Sequence, residues 1–292
     1  MTHKDKLLEL AANPDFISGI YNYCDRWCER CQFTSRCFLY ATEQADPDLD
    51  DPEIRDISNE KFWRKLQSIF METAEMIAEW AAEAGIDLDA VDIQDAKAEH
   101  EREMASAEQN ELSLAARHYA GMVADWFKEE FATEEDVHDD AATASEPGDE
   151  DLSIRDAAEV IRWYQFFIAV KIFRALSGGS REDEPDDEDG LFGVEFFEGN
   201  GPDDNEDVDY DAVVARADRM DANGSAKVAL IAIDRSISAW RALQIWLPEK
   251  AGSITPMLIE LERLRRSTEQ NFPHARSFIR PGFDETLSEF VS

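Results

Sequence analysis

Apolar residues recur at the spacing of an α-helix in five stretches of the chain, and this period limits the folds open to it. In each stretch the large apolar side chains stand three or four positions apart, and most stretches end at a glycine or a proline. The predicted helices cover residues 62–84, 95–131, 153–176, 224–247 and 254–270. Outside them, only residues 191–197 have the composition of a short hairpin. The sequence therefore predicts an all-α fold.

Helices of this length bury their apolar stripes most simply in an antiparallel bundle. We expect four to five long helices, with a cysteine-rich helix at the N-terminal end and two long acidic loops at residues 133–150 and 178–211. The predicted organisation is a segment over residues 1–50 that carries the cysteines, followed by a bundle over residues 51–292 that forms one compact domain.

All four cysteines of the chain lie within fourteen residues, as Cys24, Cys28, Cys31 and Cys37 in YNYCDRWCERCQFTSRC. Free structural cysteines are usually scattered through a core, whereas crowded cysteines in a reducing compartment are typical of metal ligands. The spacing C-x3-C-x2-C-x5-C therefore predicts a metal site. Two disulfides, or four inert thiols, are the alternatives.

The identity of the metal depends on the local structure. If residues 16–31 are helical, Cys24, Cys28 and Cys31 share one face of the helix. Zinc needs four thiolates drawn tightly around one ion, usually on tight turns, and this stretch has neither glycine nor proline between Cys24 and Cys37. An iron–sulfur cluster tolerates wider spacing. We favour an iron–sulfur cluster and keep zinc as the alternative.

The C-x3-C-x2-C spacing of the first three cysteines resembles that of the radical S-adenosylmethionine enzymes, over eight residues. The resemblance implies a parallel β/α barrel in which the three cysteines follow the first strand and leave one iron of the cluster open. The chain departs from that pattern, because the predicted elements include no such strands and Cys37 stands close by as a fourth ligand. We therefore do not place the chain in that family.

The chain is strongly acidic, with 65 Asp and Glu against 29 Lys and Arg and a formal net charge of −36. This charge opposes binding to nucleic acid or to anionic lipid, because both need a basic surface. The two acidic loops could instead bind a basic protein partner. We expect no membrane association and a cytoplasmic location, because no long apolar run and no secretory leader is evident.

Two further sets of polar residues are candidate sites. Glu111 and His118 lie on one edge of the predicted helix 95–131, where a carboxylate and a histidine could bind a metal. Lys171 and Asp234 each interrupt an apolar stretch, and a buried charge needs a partner. We predict that Asp234 is buried and pairs with Lys171, or otherwise with Arg174.

These features support three hypotheses for the function. The first is an accessory protein in which a four-cysteine metal site pins the N-terminal helix to a bundle. The second is an iron–sulfur oxidoreductase or electron-transfer protein, for which the polar edge at Glu111 and His118 or the charge at Asp234 would supply a second site. The third is an acidic interaction protein that binds a basic partner. The sequence does not decide whether the protein is an enzyme.

Overall fold

The computed structural model describes residues 3–83, 85, 94–130, 153–178 and 210–284. These residues are mostly helical and contain no strand, which confirms the all-α prediction. Nearly all of the two predicted acidic loops, and the 191–197 hairpin, lie outside the described residues. None of the described helices combines the length and the apolarity needed to cross a membrane.

The chain divides into two compact units. The first comprises Met1–His100 together with the residues that follow Arg280, and the second comprises Glu101–Arg280. The first unit contains the helices α1 (His3–Ala11), α2 (Phe38–Ala45), α3 (Pro52–Arg55) and α4 (Glu60–Glu83). Helix α5 (Gln94–Gln109) contains the boundary between the units.

Two lysines anchor the start of α4 within the first unit. Lys65 lies 2.7 Å from Asp46 and 2.9 Å from Asp48, and Lys61 lies 2.9 Å from Asp51. The segment that carries these acids is itself built from short turns with aspartate caps at Asp46 and Asp51. Helix α4 is therefore fixed at its N-terminal end by ion pairs and not by a large apolar contact.

The second unit is built from four helices: α6 (Glu111–Glu130), α7 (Ile154–Ser177), α8 (Tyr210–Trp246) and α9 (Ala251–Asn271). Helix α7 packs against both α8 and α6, and α9 packs against both α8 and α6. The helix start at Ser153 is a capping box, in which the Ser153 side chain and the Asp156 side chain each accept a backbone N–H. The predicted bounds of this helix, 153–176, are confirmed.

Two predicted helix boundaries were wrong. The predicted helix 95–131 is two helices, because Asn110 interrupts it and its side chain accepts the N–H of Leu112 at the start of α6. Helix α8 begins at Tyr210, well before the predicted start at residue 224, and it continues through the Asn223–Gly224 pair. The packing of α8 against α7 and α9 outweighs the low helix propensity of Asn223 and Gly224.

The core of the second unit contains aromatic side chains joined by a buried hydrogen bond. Trp240 is fully buried and its Nε1 donates to the Tyr119 hydroxyl over 3.0 Å. Trp126 meets Trp240 edge to face, with ring centroids 4.8 Å apart. Burial raises the pKa of Tyr119, so its hydroxyl remains protonated.

Helix α7 buries one side although it carries apolar residues on more than one side. Trp163 and Val170 are exposed, whereas Ile161, Ile168 and Ile172 are buried. The helix has more apolar residues than one face can bury, so apolar spacing alone did not fix its rotation. The small residues Ala157, Ala158 and Ala175 share the buried side and allow neighbouring helices to approach closely.

The Tyr119 to Trp240 hydrogen bond can be tested with two matched substitutions. We expect Tyr119→Phe to lower the free energy of unfolding by about 1–3 kcal/mol, because it leaves the buried indole N–H of Trp240 without this acceptor. Tyr164→Phe is the control, since the equally buried Tyr164 accepts from Arg235, an exposed residue that can turn to water. The free energy of unfolding is measured by urea denaturation. An equal decrease in both variants would show that the hydrogen bond to Trp240 stabilises the fold no more than the one to Arg235.

Candidate metal centre

The cysteine segment is a series of tight turns and not the predicted helix. Two short 3-10 turns, Cys28–Arg30 and Thr34–Arg36, separate extended residues, and Cys31 and Cys37 are both extended. Arg26 has a φ of 59°, which makes it the one residue other than glycine with a positive φ in the described part of the chain. The prediction that Cys24, Cys28 and Cys31 share a helix face is therefore wrong.

The turn at Arg26 is held by contacts on both sides. The Asp25 side chain accepts the N–H of Trp27 over 3.2 Å, and the Arg26 guanidinium lies 2.7 Å from Glu43 on α2. A left-handed residue other than glycine costs about 1–2 kcal/mol. A glycine would avoid this cost but could not form the ion pair, so the arginine ties the turn to the helix that follows the cysteines.

All four cysteines line one concavity in the first unit. The rest of its wall is largely apolar and aromatic, and includes Ile20, Tyr21, Trp27, Phe33, Tyr40 and Phe283. The four thiols are free and half-buried, so the alternative of two disulfides is not what the structure contains. Turns over fourteen residues thus bring all four thiols to the wall of one concavity.

Among the described residues, no group of three or more His, Cys, Asp or Glu side chains is placed so that it could hold a metal ion. The cysteines are nevertheless close enough to influence one another electrically. Burial raises the pKa of Cys28, and the neighbouring Cys24 and Cys37 also raise it, whereas Arg26 lowers it.

The backbone provides polar contacts to the sulfur atoms. The N–H of Phe33 donates to Cys31 Sγ over 3.4 Å, and the Cys24 thiol donates to the Tyr21 carbonyl over 3.5 Å. Cys37 is the N-cap residue of α2, where the unpaired N–H groups of the first helical turn favour negative charge. The Phe33 N–H and the start of α2 favour negative charge on Cys31 and Cys37, as a metal-bound thiolate carries, whereas the Cys24 contact favours the protonated thiol.

Two residues of the site could not be found from the sequence. Phe283 lines the concavity and packs edge to face on Phe33, with ring centroids 5.0 Å apart. Gly282 has a φ of 74°, and a Cβ at that position would lie 2.8 Å from Ile17 and 3.1 Å from Ile20. This glycine allows the chain after Arg280 to lie closely against the first unit. An interval of more than two hundred residues hides this contact from local patterns.

The other candidate site residues are not gathered into sites. Glu111 and His118 are both exposed on α6, and Glu111 belongs to its first turn. Asp234 is half-exposed and pairs with Arg276 over 2.7 Å, so the prediction of a buried pair with Lys171 was wrong. The alternative partner Arg174 pairs with Asp221 over 2.7 Å. Asp234 found a partner beyond the end of α9, which helical spacing cannot predict.

Lys171 is buried, as a residue within an apolar stretch of α7 should be. Its ammonium lies 5.5 Å from the centroid of the Phe167 ring, within the range of a cation–π interaction. Long side chains of this kind can bury their methylene groups while their charged end reaches a favourable contact. The buried lysine therefore has a structural explanation on its own helix.

No protein-family model, no curated protein and no solved structure matches this chain. The cysteine concavity is therefore interpreted from its own residues and geometry.

The role of Gly282 in closing the concavity can be tested by Gly282→Ala. We expect this variant to lose at least about 1–2 kcal/mol in the first unit, because alanine is strained at positive φ and its Cβ would overlap Ile17. Hydrogen–deuterium exchange of peptides from residues 16–40 should rise. Gly252→Ala in α9 is the control, since nothing lies within 4 Å of its Cβ position. Unchanged exchange in Gly282→Ala would contradict the contact.

Proposed function

We propose that this protein binds a metal centre through the thiolates of Cys24, Cys28, Cys31 and Cys37, and that a helical bundle carries this centre. The observation that supports the proposal most is that all four cysteines of the chain line one concavity. The thiols of four scattered structural cysteines would not converge in this way. The sulfur atoms remain unoxidised and partly accessible, as ligands must be before metal binds.

The small core of the first unit also supports a structural role for the metal. Among its described residues, only Ile20, Trp27 and Ala81 are buried apolar residues. A unit of this size with so few buried side chains needs another source of stability, which metal binding commonly supplies. Two of the three, Ile20 and Trp27, line the cysteine concavity, so metal binding would reinforce the core that exists.

We favour an iron–sulfur cluster over a single zinc ion as the bound group. Zinc holds each sulfur atom at about 2.3 Å, which requires four thiolates to meet almost at one point. The four cysteines line the wall of a concavity that aromatic residues also line. A cubane cluster places its thiolates farther apart. Its aromatic wall would limit the access of water and oxygen to the cluster.

An accessory or structural role is the form of this proposal that the residues support best. The alternative of an oxidoreductase needs a second site beside the cluster, and its candidates Glu111, His118 and Asp234 lie in the second unit, exposed or already paired. The wall of the concavity in the first unit is largely aromatic, and Asp25 and Arg26 are the charged residues that line it.

Anaerobic purification followed by metal and sulfide analysis is the decisive experiment. We expect about four iron and four sulfide per chain with broad visible absorption, as for a cubane cluster. Cys28→Ser should lose most of the iron. Thr34→Ser is the matched control, because Thr34 lines the same concavity without a thiol and should leave the iron content unchanged. If the purified protein contains zinc and no iron, the site is a structural zinc site and not a cluster. If it contains no metal, the proposal is refuted.

Metal removal gives a second test, of the structural role. Because binding free energy contributes directly to folding free energy at such sites, the loaded protein should melt at a higher temperature than protein treated anaerobically with a chelator. Chelated wild type and Cys28→Ser should melt at similar temperatures. A metal that leaves without any change in melting temperature would point to a redox role and not to a structural one.

A further inference from the structure

Helix α4 presents a long apolar face to solvent. Trp63, Phe70, Ile77 and Trp80 are 54, 64, 51 and 63% exposed, although each belongs to the apolar stripe of the helix. A complete aromatic side chain has a surface of about 150–250 Å². At these exposed fractions, Trp63, Phe70 and Trp80 alone leave roughly 350 Å² of apolar surface in contact with solvent. Monomeric proteins rarely expose a continuous apolar patch much larger than this. The face therefore has the properties of an interface.

The spacing along this face is that of a coiled coil. Six residues of this face are separated alternately by three and four positions: Trp63, Leu66, Phe70, Thr73, Ile77 and Trp80. All of them except Thr73 are large and apolar. This is the a/d pattern of a seven-residue repeat, in which the side chains of one helix fit between those of another. The pattern thus specifies a helix as the occupant of the face.

The same positions are complementary to a second copy of α4 that runs in the opposite direction. When the two helices cross at their midpoints, Trp63 lies opposite Trp80 of the second copy, Leu66 opposite Ile77, and Phe70 opposite Thr73. Each contact occurs twice, as two-fold symmetry requires. The large indole pairs then lie at both ends, and the small Thr73 leaves room for Phe70 in the centre.

The charges of α4 favour this direction. The basic residues of α4, Lys61, Arg64 and Lys65, lie in its first two turns together with Glu60, and its second half carries only acids: Glu72, Glu75, Glu79 and Glu83. A parallel pair would bring the two acidic ends together. An antiparallel pair instead places the acidic C-terminal end of one helix beside the N-terminal end of the other. At that N-terminal end, Lys61 and Lys65 already form ion pairs with Asp51 and Asp46 of their own chain, so it carries less negative charge than a second acidic end would.

We propose that α4 is a homodimerisation helix that pairs with α4 of a second copy of this chain in an antiparallel coiled coil. The paired faces would bury roughly 1,000 Å² in total, which is close to the lower limit for a specific interface. Pairing would also give the first unit the apolar burial that its small core lacks. The proposed pairing extends from Trp63 to Trp80. It ends there because the next residue of α4, Ala81, is already buried within its own chain.

Sedimentation equilibrium of the full-length protein near 0.15 M salt tests the pairing, since the net charge is then screened beyond about 8 Å. We expect a species of twice the 33.2 kDa chain mass at micromolar concentration. Phe70→Glu should weaken the dimer at least tenfold. Met71→Glu is the matched control, because Met71 is similarly exposed, at 57%, but lies about 130° around α4 from the centre of the apolar face. Circular dichroism would verify that both variants fold.

The direction of pairing can be read from cross-links. A mixture of isotopically light and heavy chains, treated with a zero-length carbodiimide reagent, should give light-to-heavy links between Lys61 and Glu83. Links between Lys61 and Glu60 of two chains would instead indicate a parallel pair and overturn the antiparallel one. A chain that sediments as a monomer, or a dimer that Phe70→Glu leaves intact, would overturn the assignment of this face.

Discussion

The left-handed backbone of Arg26 is the constraint on which the cysteine concavity depends. A residue with ordinary helical angles at this position would continue the chain in a direction that separates Cys24 from the later cysteines. The conformation is costly for an arginine, and two local contacts hold it: the Asp25 side chain on the Trp27 N–H and the ion pair of Arg26 with Glu43. Burial raises the pKa of Cys28, and the same arginine offsets part of that rise. A single residue therefore shapes the turn and acts on the charge of the neighbouring thiol.

The two units are stabilised in different ways. The second has a conventional core in which Trp240, Tyr119, Ile233 and Leu261 are buried. Within this core the indole N–H of Trp240 donates a hydrogen bond to the Tyr119 hydroxyl. The first has few buried side chains and many ion pairs at partly exposed positions, each of which contributes little. This contrast agrees with the proposals that place a metal centre and a helix-to-helix interface in the first unit. Each would supply stability that the apolar burial of that unit does not.

Helical spacing predicted the long helices better than the cysteine segment, for physical reasons. The bounds of α7 followed from the Ser153 cap and from Gly178, which act locally. The break at Asn110 depends on one side chain that can cap a helix or lie within one, so spacing could not reveal it. In the cysteine segment, the absence of glycine and proline favoured a helix, and nothing in the sequence marks Arg26 as the residue that turns.

The wall at Phe283 has a consequence for the order in which the site forms. The cysteine segment leaves the ribosome early, and Phe283 follows roughly 250 residues later, which at about 5–20 residues per second is a delay of roughly 10–50 s. During that interval the nascent chain presents its thiols on an incomplete scaffold, open on the side that Phe283 will cover. Loading before the interval ends meets a wider entrance than loading afterwards. The timing of translation thus acts on the maturation of a site that the finished fold encloses.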